Sequence, residues 1–429
     1  MQKLLIRHSG PLRGTVTIKG AKNAVLPIMA ACLLTDEPSV IARVPHVTDV
    51  GLMSEILQRL GVAVALHGDT VTVTPGRYRD TVAPYELVSR MRASICVLGP
   101  LLAKQGKAQV SMPGGCVIGA RPIDLHVKGL QALGAGIAME HGYLMAECRR
   151  LRGTRVHLGG AFGSSVLATG NVMMAATLAE GTTIIEHAAC EPEVVDLANC
   201  LLAMGAQIEG QGTSVIRIEG VPRLHGVRYQ IIADRIEAGT LMMAAAIVGG
   251  DVTIDGVNAD HLEAVVDKLC EAQVRIEKRG EALHIRTDEV IRSVDVTTMP
   301  YPGFPTDLQA RMMSLMAVSK GVSIITEKVY PERFMHVPEL NRMGAAITRE
   351  GASAIVKGVA RLSGAQVSAP DLRAAAALIV AGLAADNQTE LGGLEHLERG
   401  YEKFEEQLRE LGASLQRITV EDAAVSVAA

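Results

Sequence analysis

Residues 57–62 read LQRLGV, and this short stretch determines the architecture because it recurs along the chain. Two apolar residues spaced by three and followed by glycine are typical of the end of an amphipathic helix, since glycine accepts the left-handed backbone that closes it. The other copies occupy residues 130–135, 201–206, 269–274, 340–345 and 408–413. Gln273 replaces glycine in the degenerate fourth copy. The marker position recurs every 68 to 73 residues, which predicts six repeats.

Each repeat shows the same order of local patterns around its marker. A short β-branched segment such as 182–186 precedes the marker, and an alternating apolar segment with a Gly-Asp turn, such as 62–73, follows it. Runs of small and apolar residues come first, as at 171–178, 238–246 and 374–385. A helix that is apolar on every side is buried on every side. Each repeat is therefore predicted to fold as β-α-β-α-β-β, with one buried and one surface helix.

The predicted fold class is α/β, with three repeats in each of two domains, because six repeats exceed one hydrophobic core. We predict a first domain at 22–229, a second domain formed by 1–21 and 230–418, and a loose tail at 419–429. The first strand, 4–16, has no local partner and is predicted to complete the second domain. A solenoid is the alternative, but its end repeats should be atypical, whereas the sixth repeat keeps its buried helix.

Composition and charge exclude several classes of function. The chain of 429 residues is 48% hydrophobic but only 3% aromatic, without Trp, which disfavours modules that stack nucleic-acid bases on aromatic side chains. Its 42 basic and 46 acidic side chains leave a net charge of −4. No overall field therefore attracts DNA or an anionic membrane. We predict no nucleic-acid partner, and an anionic ligand must be held by a local group of cations.

The cysteine pattern and the apolar runs bear on the compartment. The seven cysteines are scattered, odd in number and without zinc-site spacing, which indicates a reducing compartment and no structural metal. The N-terminus lacks a signal-peptide core, and the longest apolar run is far shorter than a membrane span. We predict a cytoplasmic protein without membrane attachment. Cys96, Cys200 and Cys270 lie in apolar helical runs and are expected to be shielded.

Cys116 lies in a different setting, the glycine-rich stretch PGGCVIGARPIDLH at 113–126. Small and β-breaking residues make this stretch too supple for regular structure. A cysteine commonly behaves as a small hydrophobe. Arg121 follows closely, however, and nearby cations lower a thiol's pKa toward neutrality. Cys116 is therefore a candidate for proton transfer.

Seven short motifs occur in order along the chain. They are GAKNA at 20–24, MRASI at 91–95, the Cys116 stretch, FPTD at 304–307, RFMHV at 333–337, DLRA at 371–374 and RGYE at 399–402. Together with the repeats they resemble the enolpyruvyl transferase family, in particular its members that act on UDP-N-acetylglucosamine. The resemblance covers residues 1 to about 418 and implies a two-domain inside-out α/β barrel, in which each domain surrounds buried parallel helices.

The resemblance also implies an activity. It is transfer of the enolpyruvyl group of phosphoenolpyruvate to the 3-hydroxyl of UDP-N-acetylglucosamine, by addition and elimination through a tetrahedral intermediate with release of phosphate. This is the first committed step of peptidoglycan precursor synthesis, on which cell shape and division depend. The resemblance implies no metal and no organic cofactor. It further implies phosphonate epoxides of the fosfomycin type as inhibitors that bond the Cys116 thiol.

Candidate catalytic and anion-binding residues follow from the motifs. An anion with both phosphate and carboxylate suits arginine forks and a lysine point charge, and the motifs supply Lys22, Arg92, Arg121, Arg333, Arg373 and Arg399. A single arginine is usually a solvated surface charge, but six at motif positions favour a binding site. The resemblance assigns protonation of the methylene carbon to Cys116, with Lys22 and Arg399 also catalytic. It assigns proton removal from the sugar to Asp307, although FPTD alone is an ordinary helix start.

Further residues are assigned to the sugar nucleotide by the resemblance. They are Asn23, Arg121, Pro122, Ile123, Asp124, Leu125, Ser165, Val166 and Val329. Residues 163–169 read GSSVLAT, whereas many members of the family read PSVGAT there, so only Ser165 and Val166 match in this segment.

Two other functions are compatible with the same pattern. One is an enolpyruvyl transferase acting on shikimate 3-phosphate, which needs neither Cys116 nor the RPIDL stretch at 121–125. The other is an inactive relative that senses a UDP-sugar. The intact Lys22, Cys116, Asp307 and Arg399 argue against the second alternative.

Overall fold

The computed structural model describes residues 2–76, 78, 80–114 and 123–419. Within these residues, six four-stranded sheets share one pattern of parallel and antiparallel pairing. In each, an outer strand lies parallel to the second strand, and the third and fourth follow antiparallel. The predicted sixfold repeat is confirmed.

The chain forms two compact units, which we call unit A and unit B. Unit A contains Lys19–Asp234 with Met299–Gly303, and unit B contains the other described residues. The sequence analysis placed the divisions at 21/22 and 229/230. The correspondence between these two units and the two predicted domains stays a prediction.

Unit A holds three of the sheets and six principal helices. Its sheets, in strand order, are Arg228–Gln230, Ser39–Ala42, Thr70–Thr74 and Ala63–His67; then Val82–Ala83, Lys107–Ser111, Tyr143–Glu147 and Gly136–Glu140; then Arg155–His157, Thr182–Glu186, Val215–Glu219 and Gln207–Glu209. Its buried helices are Lys22–Ala31, Leu98–Gln105 and Val166–Ala176, and its surface helices are Thr48–Arg59, Asp124–Ala132 and Pro192–Ala203. Gly159–Gly160 and Gly163–Ser164 form a small hairpin.

Unit B repeats this plan. Its sheets are Arg13–Thr17, Asp251–Asp255, Ala282–Arg286 and Arg275–Arg279; then Val296–Thr298, Val322–Glu327, Ser353–Lys357 and Ala346–Glu350; then Gln366–Ser368, Gln388–Gly392, Gln2–Arg7 and Leu415–Thr419. Its buried helices are Arg235–Ile247, Gln309–Ala317 and Leu372–Ala384, and its surface helices are Glu263–Glu271, Val337–Arg342 and Phe404–Glu410. The three buried helices contact one another.

The N-terminal segment differs from its prediction in one respect. Residues 4–16 were expected as one strand, but the structure has two, Gln2–Arg7 and Arg13–Thr17. Pro11 lies between them and has no N–H to donate to a ladder. Both strands pair with the second half of the chain, as predicted: Leu4 lies opposite Leu391, and Val252 pairs with Gly14.

Close approach of small residues lets the buried helices pack without aromatic side chains. The amide of Gly99 donates to Oδ1 of Asn171 at 2.6 Å. A Cβ at Gly99 would lie 2.3 Å from the backbone oxygen of Asn171, so only glycine fits there. Among the described helices, none is long and apolar enough to cross a membrane.

The marker residues end the surface helices with one hydrogen-bond pattern. The amide of Gly61 donates to Gln58, and the amide of Val62 donates to Leu57, each at 3.0 Å. The other five markers repeat both bonds, which define a Schellman C-cap. The five marker glycines have φ between 86° and 98°, and Gln273 has φ 73°. The repeat is therefore readable in the sequence because each surface helix ends in the left-handed region.

Gln273 supplies a test of this explanation. A residue with a side chain pays about 1 kcal/mol or more to adopt the left-handed region. Glycine avoids this strain, but it loses more backbone entropy on folding, which offsets part of the gain. We expect Gln273→Gly to raise the free energy of unfolding of unit B by about 0.5 to 1 kcal/mol, measured by denaturant titration. The reverse change, Gly412→Gln, should lower it by a similar amount, since an added Cβ there meets nothing within 4 Å. A destabilised Gln273→Gly protein would show that contacts of the Gln273 side chain outweigh the backbone strain.

Candidate active site

Three of the motifs converge on one carboxylate in unit B. Asp307 lies in the 3-10 turn Thr306–Leu308, which leads into the helix Gln309–Ala317. Its Oδ1 lies 2.9 Å from Nη1 of Arg333, and its Oδ2 accepts from Nη2 of Arg373. Both arginines are buried, whereas 23% of the Asp307 side chain is exposed. The structure therefore brings together a carboxylate and two guanidinium groups that are far apart in sequence.

Arg333 is linked to the buried carboxylate of Glu327 through the hydroxyl of Thr306. Nη1 of Arg333 donates to Oγ1 of Thr306 at 3.0 Å, and that hydroxyl donates to Oε2 of Glu327 at 2.8 Å. Glu327 is fully buried and also accepts from the amides of Val329 and Tyr330, each at 2.9 Å. Buried carboxylates are stabilised by such multiple donors. Glu327 thus fixes the turn that carries half-buried Val329. The sequence analysis did not select Glu327.

Arg373 is positioned by the start of its helix. The carboxylate of Asp371 caps Leu372–Ala384 by accepting from the amides of Arg373 at 2.6 Å and Ala374 at 3.0 Å. This cap satisfies amides that a helix start otherwise leaves open. Arg373 therefore leaves the first turn in a defined direction, toward Asp307.

Arg311 is a further charged residue that the sequence analysis did not select. It lies one turn after Asp307 in the helix Gln309–Ala317, and it is fully buried. Burial lowers the pKa of its guanidinium to about 10, so it stays charged at neutral pH. The available signal was a lone charge in the apolar run that follows FPTD. Arg399 is half-buried and lies two residues before Tyr401, whose hydroxyl accepts from Arg311.

Buried His336 gives a prediction for the pH dependence of stability. Burial lowers the pKa of His336 from 6.5 to about 4; Asp371 opposes this shift, and Arg333 and Arg311 add to it. Its Nε2 lies 3.2 Å from the sulfur of Met313. Because the unfolded state binds the proton first, this group's contribution is complete above pH 6.5 and is lost as pH falls toward 4.

We therefore expect His336→Leu to flatten the pH dependence of unfolding. Between pH 7.5 and pH 5.0 the wild type should lose about 2 kcal/mol more than the variant. Urea unfolding of both proteins at the two pH values measures the difference. Equal losses in both proteins would show that His336 does not titrate as its burial indicates.

In unit A, Lys22 opens the buried helix Lys22–Ala31, two residues earlier than the predicted start at Ala24. Its Nζ lies 3.2 Å from Oδ2 of Asp49, with 11% of the lysine side chain and 3% of the Asp49 side chain exposed. The Lys22 amide donates to Oδ2 of Asp234 at 3.4 Å. Half-buried Asn23 follows in the same first turn. A helix N-terminus with an almost buried ammonium group suits an anion, and Asp49 is a partner that sequence reasoning missed.

Other assigned residues of unit A also lie at or next to the first residue of a helix. Arg92 opens the 3-10 helix Arg92–Val97 and donates from Nη1 to the carbonyl of Pro113 at 3.4 Å. Buried Ile123 precedes the helix Asp124–Ala132, in which Asp124 is exposed.

The glycine hairpin brings Leu125 close to the segment that carries Ser165. Leu125 is half-buried, and a Cβ built on Gly160 would lie 3.2 Å from its Cδ1. The hairpin strand Gly163–Ser164 leads directly to Ser165, whose Oγ accepts from the amide of Ala168 at 3.3 Å. Ser165 thereby caps the helix that begins at half-buried Val166. Leu125 therefore lies beside the first strand of the hairpin whose second strand leads into Ser165.

Three assigned residues, Cys116, Arg121 and Pro122, lie outside the described residues, so their roles stay predictions. Across the described ranges, no group of three or more His, Cys, Asp or Glu side chains is arranged to hold a metal ion.

The cysteine expectations are met in part. Cys96 and Cys200 are fully buried, as predicted, and burial raises the pKa of both thiols. The prediction for Cys270 is wrong, because it is exposed. It lies near the end of the surface helix Glu263–Glu271, which buries only Val265 and Leu269. The run is amphipathic, and Cys270 is on its outer side.

Comparisons with known proteins bear on the family of the chain. The family model described as EPSP synthase (3-phosphoshikimate 1-carboxyvinyltransferase) matches residues 6–408. UDP-N-acetylglucosamine 1-carboxyvinyltransferase 1 of Caldanaerobacter subterraneus subsp. tengcongensis is 51% identical over 97% of this chain and 99% of its own length. UDP-N-acetylglucosamine 1-carboxyvinyltransferase 2 of Carboxydothermus hydrogenoformans is 53% identical over 98% and 100%.

Solved structures confirm the α/β fold class. The enolpyruvyl transferase NikO from Streptomyces tendae aligns with a TM-score of 0.88 and 25% identity, over 98% of this chain and 99% of its own. EPSP synthase from Acinetobacter baumannii has a TM-score of 0.74 and 17% identity, over 98% and 100%, which shows the shared fold. With half of its residues identical over nearly its whole length, the chain belongs to the UDP-N-acetylglucosamine 1-carboxyvinyltransferases, within the EPSP synthase family.

Proposed function

We propose that this protein transfers the enolpyruvyl group of phosphoenolpyruvate to the 3-hydroxyl of UDP-N-acetylglucosamine and releases phosphate, the first committed step of peptidoglycan precursor synthesis. The observation that carries the proposal is the cluster in which Asp307 contacts Arg333 and Arg373. It supplies a base and two anion-binding forks at motif positions of this family. The relatives, at 51% and 53% identity, specify the acceptor sugar.

The charges of this cluster suit an anionic substrate. Two buried guanidinium groups contact the partly exposed carboxylate of Asp307, and buried charges are costly unless they are paired. Phosphoenolpyruvate brings both a phosphate and a carboxylate, which arginine forks bind strongly. When the phosphate and carboxylate of phosphoenolpyruvate accept hydrogen bonds from Arg333 and Arg373, the Asp307 carboxylate is freed from these arginines and can accept a proton.

The proposed reaction then assigns one role to each candidate. Asp307 accepts the proton of the 3-hydroxyl as its oxygen bonds to C2 of phosphoenolpyruvate, and Cys116 gives a proton to C3. In the elimination step the Cys116 thiolate takes a proton back from C3, the bond from C2 to the phosphate oxygen breaks, and phosphate departs with the proton that Asp307 had accepted. Lys22, Arg92, Arg121 and Arg399 stabilise the negative charge of the phosphate and carboxylate.

The sugar nucleotide is proposed to contact the residues that the resemblance assigns to it. They are Asn23, Arg121, Pro122, Ile123, Asp124, Leu125, Ser165, Val166 and Val329. Phosphonate epoxides of the fosfomycin type are proposed inhibitors. The site of action is the cytoplasm, where phosphoenolpyruvate is available.

A phosphate-release assay tests the proposal. Purified protein with phosphoenolpyruvate should release phosphate when UDP-N-acetylglucosamine is added and remain at background with shikimate 3-phosphate. Phosphoenolpyruvate alone is the control for hydrolysis. Release with shikimate 3-phosphate only would assign the chain to the other acceptor named by its family model, and release with neither would overturn the proposal.

A further inference from the structure

Arg311 is a costly residue for the core of unit B. Its large side chain is fully buried, and it lies between apolar neighbours on the helix Gln309–Ala317. Removing a guanidinium group from water costs several kcal/mol unless its donors are used. Among the described residues its Nε has no hydrogen-bond partner. Hydrophobic side chains would fill this position at lower cost, so the contacts of its two terminal nitrogens need an explanation.

Those contacts join two segments that carry candidate active-site residues. Nη1 donates to the backbone carbonyl of Asp307, and Nη2 donates to the hydroxyl of Tyr401. Cζ lies 5.7 Å from the centre of the Tyr401 ring. The guanidinium therefore links the turn of the proposed base to the segment that contains Arg399.

Tyr401 is itself held firmly. It is 4% exposed, its ring centre lies 4.7 Å from that of Phe404, and its hydroxyl lies 2.8 Å from Oγ1 of Thr240 on another buried helix. A charged donor bound to two fixed acceptors has little freedom to move. Tyr401 is thus a fixed point of the core. Because Arg311 donates to both the Tyr401 hydroxyl and the Asp307 carbonyl, it holds Asp307 at a set distance from Tyr401.

The hydrogen bond to the carbonyl of Asp307 can determine how the Asp307 side chain is oriented. Asp307 lies in a single 3-10 turn, where hydrogen-bond geometry is poorer than in an α-helix. Fixing its carbonyl fixes the adjoining peptide plane, and this limits the direction of its Cα–Cβ bond. The carboxylate then meets Arg333 and Arg373 in one orientation. Errors of about 1 Å in such positions cost up to about 100-fold in rate.

We propose that Arg311 is a positioning residue for enolpyruvyl transfer, holding Asp307 and the 399–401 segment in their working geometry through Tyr401. The proposal rests on the proposed function. It differs from a merely structural role, because it predicts a loss in kcat rather than in substrate binding, and a loss that depends on the Tyr401 hydroxyl.

The test uses a double-mutant cycle on the full chain. We expect Arg311→Met to lower kcat more than tenfold, Arg311→Lys to restore part of it, and Tyr401→Phe to lower kcat about tenfold. KM for UDP-N-acetylglucosamine should change less than about twofold in each. In the Arg311→Met background, Tyr401→Phe should have no further effect on kcat. Met312→Leu, a volume-conserving change at a fully buried neighbour, is the matched control.

A second readout needs no substrate and so separates this proposal from the proposed function. Amide hydrogen exchange of the peptide that spans Thr306–Leu308 should be faster in Arg311→Met and Tyr401→Phe than in the wild type and Met312→Leu. If the wild type shows no transfer to UDP-N-acetylglucosamine, the proposed function fails, and the exchange rates still decide whether Arg311 holds the turn. Unchanged exchange, additive losses in kcat, or effects confined to KM would overturn the positioning role. If Arg311→Met does not fold, Arg311→Lys and Tyr401→Phe with their double variant complete the same cycle.

Discussion

Asp307→Asn is expected to lower kcat by about 100-fold to 10,000-fold, the usual range for a positioned acid or base. The amide has the shape of the carboxylate, but it cannot accept the proton of the sugar hydroxyl at neutral pH. KM for UDP-N-acetylglucosamine should change little, because Asp307 is proposed to act in the reaction rather than in sugar binding. Steady-state phosphate release at saturating sugar measures the effect.

The same substitution also removes the negative charge that contacts both Arg333 and Arg373. The KM for phosphoenolpyruvate therefore reports this second role, separately from kcat. Asp295→Asn is the matched control: Asp295 is also a carboxylate that accepts a hydrogen bond, from the amide of Ile324 at 2.7 Å, but it is exposed and outside the cluster. Retention of more than a tenth of wild-type kcat by Asp307→Asn would leave Asp307 only the task of orienting the two arginines.

The elements that could be predicted from sequence are those set by local chemistry. The marker glycines are visible because each must accept positive φ at the end of a surface helix. Three of the buried helices are visible as the runs of small and apolar residues at 171–178, 238–246 and 374–385. Local patterns were less reliable where neighbouring residues face different ways: Leu269 is fully buried and Cys270 is exposed, since one residue turns about 100° around a helix.

The site could be predicted only as a set of residues. Motif resemblance selected Asp307, Arg333 and Arg373, but no local pattern gives the contact distances of side chains that the fold brings together. The supporting groups were missed because their signals are weak in isolation. Glu327 reads as the polar end of a strand, and Arg311 as a single charge in a helix, until the structure shows their hydrogen bonds.

Modification of Cys116 is expected to abolish transfer, and the described cysteines provide its controls. Cys32 and Cys96 are fully buried, and burial raises the pKa of both thiols to about 12. Cys200 is likewise fully buried with a raised pKa. Since the thiolate is the nucleophile, these three should react slowly. Cys270 is exposed, but partial burial and the nearby charge of Asp267 raise its pKa.

The reagent that separates Cys116 from the others is a phosphonate epoxide of the fosfomycin type. Its phosphonate is an anion for the proposed cationic site, and the Cys116 sulfur would then attack an epoxide carbon, opening the C–O bond to an alcohol after protonation. We expect one adduct per chain, on the peptide that contains Cys116, with activity lost in step. UDP-N-acetylglucosamine should accelerate this reaction.

Two substitutions make the result decisive. Cys116→Asp keeps an acid at the position without a nucleophile, so it should retain measurable transfer, form no adduct and resist the reagent. Cys270→Ser, which changes an exposed thiol outside the proposed site, should be inactivated at the wild-type rate. Peptide mass spectrometry with parallel phosphate-release assays follows both. An adduct on another cysteine, or loss of activity without any adduct, would remove Cys116 from the proton-transfer role, because the proposed site places its thiol beside the bound anion.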